Sequence, residues 1–237
     1  MKKEGRRSQM VAHGPQEDFI IPILKKEVKR FLSIIRPTGT KNSVIDIGCG
    51  NQPLRSALEE DGWIYFSLDI AQNEKKNIDY ISAIDQNLSL NREFDLVICM
   101  EVLEHVLDWN KSFENLKKLC SPQGKLIITC PFIFPLHEAP VDYWRPTSYA
   151  IEAMAMKFGF KVLQFQRGGN GFDVLGTIFN SFYLSRKETT LLGKIKFEIF
   201  YRAFLFLKKQ FASKGVEKYA TTEGTWYLSN IFLFERV

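Results

Sequence analysis

Short apolar runs alternate along most of this chain with segments in which apolar residues recur at helical spacing. Each run has the length of a strand buried on both faces, and each intervening segment has the stripe of an amphipathic helix. Such alternation is typical of a parallel sheet covered by helices. The strands predicted in this way are Ser43–Ile47, Trp63–Asp69, Asp79–Ile81, Phe94–Cys99, Lys125–Cys130, Phe160–Phe165 and Trp226–Glu235.

Helices are predicted between these strands and ahead of the first one. A broad apolar stripe covers Glu17–Ile35, and shorter helices are expected at Leu54–Glu60 and Asn110–Leu119. Thr147 can cap a further helix with its hydroxyl, and Gly159 can end that helix. The pattern therefore predicts an α/β fold with a doubly wound sheet.

The remaining segments predict one domain with a tail and an insert. Residues 1–16 are expected to be a disordered basic tail, and they lack the apolar core of a secretion signal. Residues 17–237 are expected to form a single domain with a helical insert at about 167–224. Within the insert, Leu191–Phe211 is rich in Phe and has a helical pattern.

Composition restricts the classes of protein that fit. The hydrophobic fraction of 45% and the charged fraction of 25% are those of a globular chain. No apolar run reaches the ~20 residues that span a bilayer. The net charge of +5 is a weaker basic excess than a nucleic-acid-binding face usually carries, so a nucleic-acid partner is not expected. The cysteines lack metal-ligand spacing, so we expect no metal and reduced thiols in a cytoplasmic protein. They are Cys49, Cys99, Cys120 and Cys130.

A glycine turn after the first predicted strand gives the most specific chemical signal. Gly48 and Gly50 stand on either side of Cys49, and glycine lets the backbone approach a ligand closely. The second strand ends in Asp69, the position at which an open α/β sheet holds the ribose hydroxyls of a nucleoside. The sequence therefore predicts a nucleoside-containing cofactor.

Two classes of cofactor compete for this turn. A nicotinamide or flavin site would add a third glycine below the pyrophosphate, but Pro53 stands at the corresponding position. The carboxylate of Asp46 would repel a pyrophosphate and attract an ammonium. S-adenosylmethionine carries such an ammonium and no phosphate, so this turn favours it.

With these features the chain resembles the class I S-adenosylmethionine-dependent methyltransferases. The segments that carry the resemblance are Val44–Gly50, Asp69, Phe94–Val97 and Glu101–Val106. The resemblance implies a Rossmann-like seven-stranded sheet, mostly parallel with an antiparallel last strand, with helices on both faces and S-adenosylmethionine as the methyl donor. The residues that it implies for cofactor binding are Asp46, Gly48, Cys49, Gly50, Asp69, Ile70, Asp85, Cys99, Met100 and Glu101.

A loop stiffened by prolines, Pro131–Thr147, follows the fifth predicted strand. It resembles a stretch of methyltransferase type 11-like proteins from bacterial surface-glycan genes, a resemblance that does not specify the methylated atom. For the whole chain we expect a small-molecule or glycan acceptor, methylated at oxygen. A rim of Tyr143, Trp144 and Arg145 would bind a sugar ring by stacking and hydrogen bonding. The alternative is a lid in which Arg145 pairs with Asp142.

An acceptor hydroxyl must lose its proton during or after methyl transfer. His137 is the first candidate base, because an ordinary histidine pKa near ~6.5 suits that role at neutral pH. Asp142 is the second candidate. Three alternatives stay open: an RNA or protein methyltransferase, a nicotinamide-dependent oxidoreductase, and a catalytically inactive nucleoside-binding partner protein.

The Phe-rich helix at Leu191–Phe211 has two interpretations. It packs over the sheet or against a second subunit of a homodimer, or it lies as a peripheral helix on the inner face of a membrane that carries a lipid-linked acceptor. In the second case its basic side chains face anionic headgroups. These residues are Lys194, Arg202, Lys208, Lys209 and Lys214.

Overall fold

The computed structural model of the chain describes residues 17–35, 42–185, 190–211 and 225–237, and these contain one seven-stranded sheet. In chain order, the strands are β1 Ser43–Ile47, β2 Ile64–Asp69, β3 Tyr80–Ile81, β4 Phe94–Met100, β5 Cys120–Pro131, β6 Phe160–Gly168 and β7 Ser229–Arg236. Their order across the sheet is β3-β2-β1-β4-β5-β7-β6.

Strand β1 lies at the centre of the parallel part of the sheet. It pairs in parallel with β2 on one side and with β4 on the other, and β4 pairs in parallel with β5. Strand β7 lies between β5 and β6 and is antiparallel to both. The predicted sheet, mostly parallel with an antiparallel last strand, is therefore confirmed.

Six α-helices lie within the described residues: α1 Ile20–Ile34, α2 Arg55–Glu60, α3 Trp109–Leu119, α4 Ser148–Lys157, α5 Gly171–Ser185 and α6 Leu191–Phe211. A short 3-10 helix covers Leu103–His105. The predicted cap of α4 is present, because the Thr147 side chain accepts a hydrogen bond from the Ala150 N–H. Gly159 follows α4 with a φ of +82°, a conformation that glycine adopts at little cost.

The two faces of the sheet bury separate apolar clusters, as expected of a doubly wound fold. Alternate side chains of β1 show the division, because Val44 joins one cluster and Ile45 joins the other. Helices α1 and α2 cover the first face, together with Val174 of α5. Helices α3 and α4 cover the second. The prediction of helices on both faces is confirmed.

Several boundaries differ from the sequence-based predictions. Strand β5 begins at Cys120 instead of Lys125, and β6 continues to Gly168 instead of ending at Phe165. The predicted insert contains a further helix, α5, ahead of the one that was predicted at Leu191–Phe211. The predicted basic tail 1–16 lies outside the described residues. Within those residues, no helix is long and apolar enough to span a membrane.

The packing of α3 against the sheet gives a prediction about stability. Phe113 is fully buried there, and we expect Phe113→Ala to lower the free energy of unfolding by about 3–5 kcal/mol. Tyr149→Ala is the control, because Tyr149 is 75% exposed and its loss should change stability by less than about 0.5 kcal/mol. Urea unfolding of both variants measures the difference. Equal stability of the two would contradict the assignment of Phe113 to the core.

Candidate functional site

A cavity of about 280 Å³ opens at the carboxyl ends of β1, β2 and β4. Six of the residues predicted to bind the cofactor lie in its wall: Gly48, Gly50, Asp69, Ile70, Asp85 and Glu101. His137, the predicted base, also lines it. The parallel strands therefore bring residues from distant parts of the sequence to one edge of the sheet, where open α/β sheets bind ligands.

The turn after β1 depends on glycine conformations. Gly48 and Gly50 have φ values of +67° and +51°, in the left-handed region that side chains other than glycine disfavour. The Gly48 N–H donates to the carbonyl of Leu68 at 2.8 Å, which ties the turn to β2. The backbone of this turn thus forms part of the cavity wall.

Asp69, the last residue of β2, joins this turn to its own strand. One carboxylate oxygen accepts a hydrogen bond from the Gly50 N–H at 2.9 Å, and the other accepts one from the Ile70 N–H at 2.6 Å. The side chain is almost completely buried and lines the cavity. A carboxylate oriented by two backbone donors can still accept hydrogen bonds from ligand hydroxyls, because each oxygen has a further lone pair.

Asp46 is buried and does not line the cavity. Its Oδ2 accepts a hydrogen bond from the Tyr65 hydroxyl at 2.8 Å, and its Oδ1 has no hydrogen-bond partner among the described residues. Burial raises the pKa of Asp46 to about 7, although the Tyr65 hydrogen bond opposes this rise. Its predicted contact with the ammonium of a cofactor therefore has no direct geometric support, because the carboxylate is enclosed by protein.

Three other residues predicted to bind the cofactor are also buried outside the cavity wall: Cys49, Cys99 and Met100. Their side chains point into the protein, while the backbone at those positions shapes the turn and the end of β4. Burial raises the pKa of the Cys99 thiol far above its usual value, so the thiol stays protonated.

Glu101, the residue after β4, has an unusual backbone conformation. Its φ is +50°, and a residue other than glycine in this region needs support from its surroundings. Its N–H donates to the carbonyl of Thr129 at 3.0 Å, and its Oε1 accepts a hydrogen bond from the Ser229 hydroxyl at 3.0 Å. These contacts hold the Glu101 carboxyl at the cavity, where burial raises its pKa.

Two histidines surround a buried glutamate beside this position. The Oε1 atom of Glu104 lies 3.6 Å from His105 Nε2 and 3.9 Å from His137 Nε2. Burial raises the pKa of Glu104 well above its usual value, and the neighbouring Glu101 raises it further. Burial lowers the pKa of His137, and His105 lowers it further, so a neutral imidazole is favoured at neutral pH. Both histidines line the cavity.

Arg145 and Asp142 form an ion pair within the loop after β5. The guanidinium donates to both carboxylate oxygens of Asp142, at 2.6 and 2.7 Å, and the His137 N–H donates to the same carboxylate at 2.9 Å. Burial opposes ionisation of Asp142, but these hydrogen bonds outweigh it and lower the pKa. The structure thus contains the ion pair between Arg145 and Asp142 that the sequence offered as the alternative. Because its pKa is lowered, Asp142 is a weak base.

Tyr143 and Trp144 anchor the loop instead of lining the cavity. Both backbone N–H groups donate to the carbonyl of Glu104, and the Trp144 indole donates to the carbonyl of Val106 at 2.8 Å. Together with Arg145, they lie outside the cavity wall. The predicted sugar-binding rim therefore does not line this cavity.

Some of the lining residues were not predicted from the sequence. His105 was not among the predicted site residues, yet it lines the cavity, and its Nδ1 contacts the Val141 carbonyl at 2.7 Å. The start of α1 also contributes Ile20 and Ile21. The sequence signal for α1 was its broad apolar stripe, which predicted a helix but not a contact with the cavity.

Comparisons with known proteins agree with this arrangement. A family model described as a methyltransferase domain matches residues 18–164. The ubiquinone biosynthesis O-methyltransferase of Coxiella burnetii is 33% identical over 98 residues, which cover 36% of this chain and 42% of that protein. The match thus spans less than half the length of this curated relative.

Solved structures of low sequence identity share the fold. A methyltransferase from Archaeoglobus fulgidus, described as dependent on S-adenosylmethionine, has a TM-score of 0.58 and 13% identity, with 93% of this chain and 97% of that one covered. Phosphoethanolamine N-methyltransferase 2 of Haemonchus contortus, in complex with S-adenosylmethionine, has a TM-score of 0.51 and 18% identity. That alignment covers 89% of this chain and 52% of the nematode protein.

The environment of Asp46 predicts a dependence of stability on pH. A carboxyl with a pKa of 3.8 when unfolded and about 7 when folded stabilises the fold below pH ~4, and this contribution disappears as the pH rises to about 7. We expect the free energy of unfolding of the wild type to fall over this range relative to Asp46→Asn, which cannot ionise. The difference should be no more than about 4 kcal/mol, since one pKa unit corresponds to about 1.36 kcal/mol.

Denaturant unfolding of both proteins at several values between pH 4 and 8 measures this difference. Other titrating groups are common to the two proteins, so their contributions cancel. Parallel pH curves would show that Asp46 ionises in the folded protein as readily as in the unfolded chain.

Proposed function

The chain belongs to the methyltransferase-domain family, whose cofactor is S-adenosylmethionine, and from this premise we propose that it transfers a methyl group to a hydroxyl oxygen of a small molecule or glycan. Oxygen as the methylated atom is supported by the O-methyltransferase name of the curated relative. The observation that carries the cofactor assignment is the charge of the cavity wall.

The Asp, Glu, Lys and Arg side chains in that wall are all acidic. Among the described residues that line the cavity, five are Asp or Glu and none is Lys or Arg: the acids are Glu17, Asp69, Asp85, Glu101 and Glu138. Such a surface repels the pyrophosphate of a nicotinamide dinucleotide and attracts a cofactor with an ammonium and a sulfonium. This charge pattern favours a methyltransferase over a nicotinamide-dependent oxidoreductase.

The residues present fit S-adenosylmethionine, which supplies an electrophilic methyl group when bound. Asp69 would accept hydrogen bonds from the ribose hydroxyls, and the backbone of Gly48 and Gly50 would lie against the methionine part. Ile70 and Asp85 would contact the adenine from the other end of the cavity. Glu101 would face the positively charged groups of the cofactor, since its carboxyl is held at the same wall.

His137 is the residue that we propose to act on the acceptor hydroxyl. It lines the cavity, its imidazole favours the neutral form, and the loop holds its backbone through Asp142. The ion pair with Arg145 leaves Asp142 in a positioning role. Much of the acceleration in such a reaction comes from holding donor and acceptor close together and correctly oriented.

Binding of S-adenosylhomocysteine tests the cofactor assignment. We expect the wild type to bind it with micromolar affinity and not to bind NADH in calorimetric titration. Asp69→Asn removes a charge-assisted acceptor and should weaken binding by about 10–100-fold. The control is Asp61→Asn, at an exposed acid after α2 that lies outside the cavity wall, which should bind like the wild type.

Other results of this titration would change the assignment. Binding of NADH would replace the methyltransferase with an oxidoreductase. Binding of neither compound would indicate a fold kept for interaction instead of catalysis. Equal binding by the wild type and Asp69→Asn would remove Asp69 from the ribose site.

We also propose that α6 binds to an anionic lipid surface. Phe179 of α5 contacts one side of α6, with ring centroids 5.3 Å from Phe200 and 4.5 Å from Phe204. The opposite side leaves Leu192, Ile195, Ile199 and Phe206 exposed, each by 47% or more. The α6 sequence carries five basic residues and one acid, so its charge complements anionic headgroups. An acceptor attached to a lipid would then lie near the enzyme.

Vesicle co-sedimentation tests the lipid contact. We expect the wild type to sediment with vesicles of anionic phospholipid and to remain in solution with neutral ones. Ile195→Asp/Ile199→Asp should lose most of this binding, because it places charge on the exposed apolar side of α6. Tyr149→Asp changes an exposed aromatic residue elsewhere and should sediment like the wild type. If the wild type does not bind anionic vesicles but forms dimers in solution, the exposed apolar side of α6 is instead the contact with a second subunit.

A further inference from the structure

We propose that Glu104, His105 and His137 form a binding site for a divalent transition-metal ion of the Zn²⁺ class, at the wall of the cavity. The proposed role of this ion in activating the acceptor depends on the function proposed above, whereas its binding does not. The spacing of the four cysteines predicted no metal site, but that prediction did not include histidine and glutamate ligands. Glu104 and His105 are neighbours in the 3-10 helix after β4, and the fold brings His137 to them from the loop after β5.

The three side chains converge on one point. One nitrogen of each histidine and one oxygen of Glu104 all lie within 4.8 Å of one another. The distances from Glu104 Oε1 are 3.6 Å to His105 Nε2 and 3.9 Å to His137 Nε2. In a tetrahedral site with bonds of about 2.0–2.1 Å, ligand atoms are about 3.4 Å apart. Small rotations of the two rings would therefore bring the three atoms into coordination distance.

The hydrogen bonds of the rings leave the correct nitrogens available. The Nδ1 atom of His105 lies 2.7 Å from the Val141 carbonyl, and a carbonyl can only accept, so Nδ1 carries the proton. The Nδ1 atom of His137 lies 3.3 Å from the Pro135 carbonyl and 3.4 Å from the Asp142 carboxylate, two acceptors that favour a proton on Nδ1. The Arg145 guanidinium, which can only donate, lies 3.3 Å from the same atom and is the one contact that opposes this tautomer. Both Nε2 atoms then present a lone pair toward Glu104. Metal-binding histidines in proteins usually have such a second contact.

Glu104 provides an independent observation in favour of an ion. Its side chain has no exposed surface, and its Oε2 contacts the Cys130 thiol at 3.8 Å. Its Oε1 has no hydrogen-bond partner among the described residues, and this is the oxygen that faces both histidines. A buried polar atom without a partner is costly and rare, and a bound cation would satisfy it.

The backbone around the cluster holds the ligands in place. The carbonyl of Glu104 accepts hydrogen bonds from the N–H groups of Tyr143 and Trp144, at 2.8 and 3.2 Å. The Trp109 indole donates to the Leu103 carbonyl at 2.9 Å. The two bonds to Glu104 connect the 3-10 helix to the loop that carries His137, and the Trp109 bond connects it to the start of α3. The backbone of the loop at Tyr143 and Trp144 therefore holds Glu104 in place.

The donor set selects the kind of ion. Two imidazoles and one carboxylate suit Zn²⁺ and its neighbours in the first transition series, whereas Mg²⁺ prefers oxygen ligands and retains several waters. Three protein ligands with a fourth position open to solvent or substrate are the pattern of a catalytic zinc site. Here both histidines line the cavity, so the open position faces it.

An ion at this position would act on the acceptor. A hydroxyl bound at the open position would lose its proton to solvent more readily, because a cation stabilises the oxygen anion that remains. His137 would then serve as a ligand instead of a free base. The carboxylate of Asp142 would hold the His137 ring in the required tautomer, and the Arg145 ion pair would hold Asp142.

Calorimetric titration of the untagged, chelator-treated protein with Zn²⁺ tests the site. We expect one equivalent to bind to the wild type, and His105→Ala and His137→Ala each to weaken that binding by more than about tenfold. The matched control is His13→Ala, since His13 is the third histidine of the chain and lies outside the described residues. This variant should bind Zn²⁺ like the wild type. Glu104→Gln keeps the shape of the buried side chain and should also bind more weakly.

A second titration with S-adenosylhomocysteine separates this proposal from the function proposed above. Retained binding by the two histidine variants would show that they are folded and that their loss of Zn²⁺ is local. A wild type that binds S-adenosylhomocysteine but no Zn²⁺ would overturn the metal site and leave the methyltransferase assignment intact. Unchanged Zn²⁺ binding by both histidine variants would equally overturn it.

Discussion

The parallel pairing of β1 with β2 and β4 is the constraint on which the site depends. Because these strands end at the same edge, residues far apart in the sequence meet there. The hydrogen bond from the Gly50 N–H to Asp69 then fixes the glycine turn relative to the second strand. Glu101 keeps its left-handed conformation at the end of β4 because β5 and β7 hold it through Thr129 and Ser229. Even the antiparallel strand thus contributes to the geometry of the cavity.

Burial of acids at this edge has an electrostatic consequence. Asp46, Glu101 and Glu104 are carboxyl groups whose pKa the protein raises, with burial as the largest cause. Their hydrogen bonds offset only part of this desolvation, so a positive charge nearby would stabilise their ionised forms. A cationic cofactor against Glu101 and a metal ion against Glu104 would both meet this need. The same physical property of the edge therefore favours both proposed ligands.

Much of the fold could be predicted from the sequence because local patterns encode it. The alternation of apolar runs and helical stripes predicted the sheet, and Thr147 and Gly159 predicted where α4 begins and ends. Asp69 and the glycine turn could be identified because their positions follow directly from the strand ends. Side-chain direction was harder to predict. Asp46 and Trp144 lie close in sequence to residues that line the cavity. Their own side chains instead hydrogen-bond to Tyr65 and to the Val106 carbonyl, respectively.

The loop after β5 shows why a candidate site needs three-dimensional contacts. Its composition of aromatic and charged residues predicted a substrate surface, yet most of these side chains stabilise the loop itself. Arg145 neutralises Asp142, and Asp142 in turn orients His137. The rigid loop holds His137 opposite Glu104 and His105, which come from the segment after β4. Chemistry at the acceptor end of the cavity therefore rests on a contact between two loops, and no spacing within either loop could have predicted it.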